Sequence, residues 1–560
     1  MRQMNEQKAM PGMLQNRSIN GLLAFFILLF LSAFSANSYV CAQSKKQIAW
    51  VDSLAEAYLE ELNLAGISIG IVKDGVLWHL GSYGMASLEK EEPLTDEHLF
   101  SIASLSKAFT ASALGILVDR GKLKWEDQLK SHLPEFRMAN DSLSEALSLV
   151  DALSHSSGLP LGAGDLISFP DGGDFTVDDL LQCFEYIPPE DEIGSSFKYN
   201  NNLYHLSGEL LSRSADESFE TFVEREIFKK LDMKHTIAVQ AGSIWEHPDA
   251  GPVASPHASK KDVLRPLRPY EHGINAAAGG IYSNAEDMCR WMLFHLNDGS
   301  YGEQLEKRLY SPEVQQDLFA AHNPHLQMRL PESYQSGEGC HYGLGWMHCS
   351  LDGAPFFFHT GGMPGMLCQL SLLPEEGLGI VVLTNAYPEG SLAFRGITYS
   401  IVDRLRSRES HDWLGQLASD FRSKEGEHAD SIKAVWEVVS KASEQWDDAD
   451  MKRFEGTYVD PWFGEAQILE EEGIWRLQML RSPRLSGSLH PFSDTCMVVQ
   501  WDYRDFHCDA FAIFRFPSRE ESLLIASKKE KASSFRMQGI SPDIDFSFDF
   551  HHLHFSRKEE

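Results

Sequence analysis

The stretch SIASLSKAFTASALGILVDRG, from Ser101 to Gly121, carries the strongest local signal in the chain. Phe109, Leu114, Leu117 and Val118 recur at helical spacing, and Gly121 is suited to closing a helix. The pattern predicts a buried helix that starts at Ser104. Ser104 and Lys107 stand three residues apart, which puts both on one face, one turn apart, with the amine in reach of the hydroxyl. The positive end of the helix dipole favours negative charge developing at Ser104. A serine hydroxyl is a weak nucleophile until a base takes its proton. A desolvated lysine, or a phenolate held by that lysine, can do so.

The same SxxK spacing recurs at Ser195 and Lys198, so the motif discriminates only in company. The company is an ordered set. FKYNN brings Tyr199 and Asn201, and HTGG runs from His359 through Thr360 and Gly361 to Gly362. ALSHSSGLP (Ala152 to Pro160), AAGGIYSNAEDMCRW (Ala277 to Trp291), YGLGW (Tyr342 to Trp346) and a PGM turn ending at Met366 complete it. In this order the chain resembles, over about residues 47 to 406, the class C β-lactamase, penicillin-binding-protein and related esterase family of serine hydrolases.

That resemblance assigns roles. Ser104 would attack a carbonyl and form an acyl-enzyme, and Lys107 and Tyr199 would share the proton transfers, with the true base left open. Asn201 would bind Lys107 and the substrate amide. The backbone N–H groups of Ser104 and Gly362 would form an oxyanion hole. His359, Thr360 and Gly361 join Asn201 as substrate-binding residues. His359 and Gly361 are two apart on a strand and are expected to face the site together. The two glycines would let substrate backbone lie along the strand. His359 departs from the family's common lysine, and a histidine is mostly neutral at pH 7. Esters or peptides, including D-amino-acid peptides, therefore rank above carboxylate-bearing β-lactams. No metal or organic cofactor is implied, and the partner is a small-molecule or peptide substrate.

Strand-like runs occur early and late. GISIGIV and VLWHLGSYG flank Lys73, Asp74 and Gly75 as a hairpin, and GAPFFFHTGG, MLCQLSLLP and LGIVVLTNA follow between Gly353 and Ala386. The expected fold is α+β: an antiparallel sheet built from both ends of residues 43–407, flanked by helices, with a helical region inserted. Residues 408–450 read as a helical linker with Trp413, Leu417, Phe421, Trp436 and Val439 as apolar positions. Residues 451–560, with FEGTY, GEAQI and DAFAIFRF, resemble the lipocalin-like β-barrel appended to some family members, either capping the cleft or standing as a separate binding unit.

Arg2, Lys8 and Arg17 precede an apolar run from Leu22 to Phe34, a signal-peptide layout with cleavage expected after Ala42. The mature chain would be periplasmic or secreted, with no stable membrane span. A net charge of -32 opposes binding to nucleic acid or anionic lipid. Of eight cysteines, those past Cys41 read mostly as buried small hydrophobes, with a Cys340 to Cys349 bridge left open.

Three decoys stand apart. Ser68 in GISIG fits a GxSxG pattern but lies in a continuing strand. His155 reads as a loop brace. His551, His552 and His554 read as strand residues without a further ligand at metal spacing. The competing functions are a penicillin-binding or sensing protein with little turnover, a weak β-lactamase, and a ligand carrier acting through the C-terminal barrel. Sequence leaves the oligomeric state open.

Overall fold

The computed structural model describes residues 49–559, apart from 261–262, 335–338, 410, 506 and 518–529. The expected leader, residues 1–42, lies outside them.

The hairpin forms as Gly66–Lys73 and Val76–Ser87. Lys73 pairs with Val76, so the turn is Asp74 and Gly75 alone, with φ of +51° and +82°. Two left-handed residues give the turn whose twist matches paired antiparallel strands. Gly66–Lys73 then pairs with Leu378–Thr384, more than 300 residues later, from Ile67 opposite Thr384 to Lys73 opposite Leu378. The sheet has eight strands in the order His341–Tyr342, Met347–Leu351, Ala354–Met363, Met366–Leu373, Leu378–Thr384, Gly66–Lys73, Val76–Ser87 and Glu92–Pro93. Both chain ends of this region thus build one sheet, and the helical stretch between them covers it.

Every side chain of Met366–Leu373 and Leu378–Thr384 is buried. Alternate residues of a strand point to opposite faces, so both faces are covered, which explains why these strands read as unbroken apolar runs. A Cβ on Gly379 would meet Met292 of the helix Ala285–Leu296, and the helix Gly390–Leu405 packs on the same central strands. The YGLGW turn sits on the helix Ser106–Asp119: at Gly345, φ is +78° and a Cβ would lie 2.7 Å from the Lys107 carbonyl oxygen. Gly345→Ala combines a disfavoured backbone with a backbone clash. It is expected to cost about 3 kcal/mol, seen as a lowered denaturant midpoint.

Residues Trp413–Ser443 form one long helix. Its Trp413 ring packs on Tyr399 at 4.9 Å and donates to Asp403 at 2.8 Å, while Trp436 meets His490 of the barrel at 5.4 Å. The helix is therefore packed at both ends.

The C-terminal region is a closed barrel of eight antiparallel strands, Gly456–Asp460 to His554–Arg557, sealed by Tyr458 opposite Arg557. Phe454, Tyr458, Phe514, Phe535 and Phe555 are buried among one another, with Phe535 and Phe555 stacked at 4.6 Å. Aromatic side chains occupy the interior where a carrier would need space. His551 and His552 lie in a 3-10 turn, Phe550–His552, rather than on a strand, because Asp549 and Phe550 turn inward before the last strand begins. Cys340 and Cys349 form a disulfide, and Cys183, Cys289, Cys368 and Cys508 are free and buried. Among the described residues, no helix is long and apolar enough to cross a membrane.

Candidate active site

Ser104 occupies a 3-10 turn, Ala103–Leu105, and the α-helix proper runs Ser106–Asp119, two residues later than the periodicity suggests. The reason lies at Ala103, whose φ of +45° turns the backbone before the helix can begin. A left-handed alanine costs about 1 kcal/mol. It is held in place because Ile102 N–H donates to Ile281 O at 3.0 Å and Cys368 Sγ contacts Ile102 O at 3.4 Å. The result exposes Ser104 partly to a cavity while Leu105, Ser106 and Lys107 are buried.

Lys107 is 0% exposed. Its Nζ lies 3.0 Å from Ser104 Oγ, 2.8 Å from Asn201 Oδ1 and 2.8 Å from Ala278 O. Burial pushes the amine down to about 7, and the nearby Asp165 carboxylate opposes that shift only in part. In the neutral amine, two N–H bonds are satisfied by Asn201 Oδ1 and Ala278 O, which can only accept. That leaves the lone pair of the neutral amine for Ser104 Oγ at 3.0 Å, where it can receive the hydroxyl proton.

Tyr199 precedes the helix Asn201–Ala215, whose N-cap is Asn200: its Oδ1 accepts the Leu203 N–H at 3.0 Å. The Tyr199 ring packs on His155 at 4.2 Å and stands 5.0 Å from Lys107 Nζ. Its hydroxyl lies toward Ser104, and burial pushes its ionisation well above the ordinary phenol range. The group is a protonated phenol beside Ser104. His155 does brace the loop, since its Nδ1 accepts the Asn200 N–H at 3.1 Å.

His359 lines the cavity, but both ring nitrogens are engaged. Nδ1 lies 2.7 Å from Thr360 O, a pure acceptor, so Nδ1 carries the proton and Nε2 accepts from Tyr342 Oη at 2.9 Å. Burial, with Lys107 nearby, pushes His359 down to about 3, so it is neutral. Thr360 and Gly362 line the cavity; Gly361 does not. A Cβ on Gly361 would lie 2.3 Å from Ile102 O and 2.6 Å from Cys368 Sγ, so its role is to let the strand lie against the turn that carries Ser104. The expectation that His359 and Gly361 face the site together fails for Gly361. The pairing of Met347–Leu351 with Ala354–Met363 ends at Phe358, so among the described residues no strand pairs with that edge from His359 to Met363.

Four residues of the site carry no sequence signal that singled them out. Asp165 is 1% exposed and lines the cavity; its Oδ2 accepts from Asn201 Nδ2 at 2.8 Å and from Ser547 Oγ at 2.9 Å. Burial pushes its carboxyl up to about 7. Asp545, Phe546 and Ser547 come from the loop between the last two barrel strands, and the Phe546 ring meets Tyr199 at 5.6 Å. The cavity has a volume of about 330 Å³. Among the described residues lining it there is no lysine or arginine, while Asp165 and Asp545 contribute carboxylates.

The two serine decoys lie apart from the site. Ser68 lies in a buried strand with its hydroxyl 3.0 Å from Ser82 Oγ. Lys198 Nζ is 3.1 Å from Glu190 at the surface, and Ser195 donates to Glu192 O.

Residues 51–399 match the Beta-lactamase family. A protein from Pseudomonas fluorescens named Beta-lactamase is 27% identical over 376 residues, covering 60% of this chain and 93% of that one. Unguisins hydrolase ungD of Aspergillus violaceofuscus is 20% identical over 431 residues, 75% of this chain and 76% of its own length. The solved octameric penicillin-binding protein homologue from Pyrococcus abyssi covers 91% of this chain and 99% of its own, with a TM-score of 0.55 and 20% identity, a likeness of fold. With 62% of its length matched to one family and an SxxK serine poised beside a buried amine, the chain belongs to the Beta-lactamase family of serine hydrolases.

Proposed function

We propose that this protein cleaves an amide or ester bond through a Ser104 acyl-enzyme, with Lys107 as the base. The observation that carries the reading is the buried Lys107 Nζ 3.0 Å from Ser104 Oγ. Ser104 Oγ attacks the carbonyl carbon as its proton passes to Lys107. The oxyanion is received by the N–H groups of Ser104 and Gly362, and the Tyr199 phenol relays a proton to the leaving group. Water, deprotonated through the same groups, then releases the acid. Asn201 and the open edge at Thr360 to Gly362 would hold substrate backbone.

The cavity chemistry favours uncharged or cation-bearing acyl donors. Neutral His359 and the two cavity carboxylates offer nothing to hold a substrate carboxylate. A panel of nitrophenyl esters, D-amino-acid peptides and nitrocefin tests this. The expected result is kcat/KM for esters or peptides at least about tenfold above nitrocefin, a difference of about 1.4 kcal/mol; a nitrocefin preference rejects it.

The base assignment fixes a pH dependence. Lys107 acts only when unprotonated, so kcat/KM should rise as pH rises through about 7 and be lost below it. Asp165, also near 7, is coupled to Lys107, and the limb belongs to the pair. A flat profile between pH 5.5 and 8.5 would exclude Lys107 as base.

The leader-like N-terminus and the Cys340–Cys349 disulfide support a periplasmic or secreted location. Cell fractionation reports on it directly.

A further inference from the structure

We propose that the last barrel loop is part of the catalytic machinery, with Ser547 and Asp165 acting as positioning residues that set Lys107 through Asn201. This rests on the acyl-enzyme reading above and extends it to a part of the chain outside the family match.

The chain of contacts is continuous. Ser547 Oγ donates to Asp165 Oδ2 at 2.9 Å, Asn201 Nδ2 donates to the same oxygen at 2.8 Å, and Asn201 Oδ1 accepts from Lys107 at 2.8 Å. Lys107 then reaches Ser104 at 3.0 Å. An Asn side chain can present either its oxygen or its amide nitrogen. With Asp165 taking the nitrogen, only the oxygen is left to face Lys107, and that orients the base. Asp165 lies 382 residues before Ser547, so the contact exists only when the barrel is docked.

The loop is built to hold this position. Ser547 is 6% exposed, and Asp549, at 0%, accepts the Gly164 N–H at 2.8 Å and the Leu166 N–H at 3.2 Å. Those two amides flank Asp165. Phe548 packs on Phe169 at 5.2 Å, and Arg484 of the barrel pairs with buried Asp171 at 2.7 Å. The loop therefore grips the Asp165 turn from both sides.

The charge effect has a definite sign. Hydrogen bonds from Asn201 and Ser547 favour the ionised Asp165 carboxylate, and that charge favours protonated Lys107. Loss of the Ser547 hydroxyl makes Asp165 protonate more readily and removes a counter-charge from Lys107. The amine then loses its proton at lower pH.

The other groups around the pair do not reverse this. His155, His205 and His359 face Lys107 from three elements and are held neutral, well below the usual range, at about 4 and at about 3 respectively. Tyr199 and Tyr204 are pushed upward, as is Cys183 beside Asp165. Asp545 and Asp549, also pushed upward by burial, are present unchanged in every variant below.

The test is the rate of fluorophosphonate labelling of the full chain from pH 5 to 9, for wild type, Ser547→Ala, Asp165→Asn and the double variant. Asp165→Asn keeps an oxygen for Asn201 and removes the charge. Both single variants should move the acid limb down by about half a pH unit or more, and Ser547→Ala should add nothing in the Asp165→Asn background. An unmoved limb in a normally labelled Ser547→Ala protein overturns the inference. So does a full Ser547→Ala effect persisting without the Asp165 charge, since that is a loosened barrel and not a set amine. No labelling of wild type overturns this inference together with the acyl-enzyme reading.

Discussion

Ser104→Ala should abolish covalent labelling by a fluorophosphonate and lower kcat by at least about 10⁴-fold, roughly 5.5 kcal/mol of transition-state stabilisation. The change removes one oxygen from a side chain partly open to the cavity, so it leaves no buried void, and the melting temperature should stay within about 2 °C of wild type. Substrate should still bind, because Asn201, Thr360 and Gly362 are untouched. Intact-mass analysis gives the answer directly. A mutant that still gains the adduct mass would place the nucleophile elsewhere, and Ser68 and Ser195, the alternatives by motif, are respectively in a buried strand and at the surface.

Lys107→Met should lower kcat by about 10³-fold or more while leaving KM within a few-fold. Methionine fills much of the lysine's volume but cannot accept a proton. The substitution strands Asn201 Oδ1 and Ala278 O in a buried site, at about 1–3 kcal/mol each. It also removes a buried amine whose desolvation is costly, so the fold should persist with a modest change in melting temperature. The comparison with Tyr199→Phe separates the two candidate bases. A phenol pushed above its usual range is a poor base and a good proton donor, so Tyr199→Phe should cost less than Lys107→Met. The reverse order would make Tyr199 the base.

Much of the site was legible because its parts are local. An SxxK spacing places an amine one helical turn from a hydroxyl wherever that helix forms, and the structure puts the two at 3.0 Å. The HTGG run had to be a strand, and it is, but strand periodicity alone misplaced Gly361. The crowding that decides its orientation comes from Ile102 and Cys368, on other elements. Similarly, the helix starts at Ser106 and not Ser104, because Ala103 is held left-handed by tertiary contacts to Ile281 and Cys368.

His359 shows the same division. Its identity already argued against a fixed positive charge. Its lasting neutrality follows from burial and from nearby Lys107, neither of which lies in the HTGG motif. The segment SPDIDFSFDF, residues 541–550, carries none of the motifs that marked the site, yet it supplies Asp545, Phe546 and Ser547 to the cavity.

By itself, the sequence determined the sheet assembled from both ends of the hydrolase region, the SxxK serine with its neighbouring amine, and the absence of a lysine at the HTGG strand, since each depends on residue type and short-range spacing. Only the tertiary structure decided that Lys107 is fully buried, that Asp165 stands behind Asn201, and that a barrel loop lines the cavity. Those properties arise from groups hundreds of residues apart meeting where water is excluded, and no periodicity along the chain encodes that meeting.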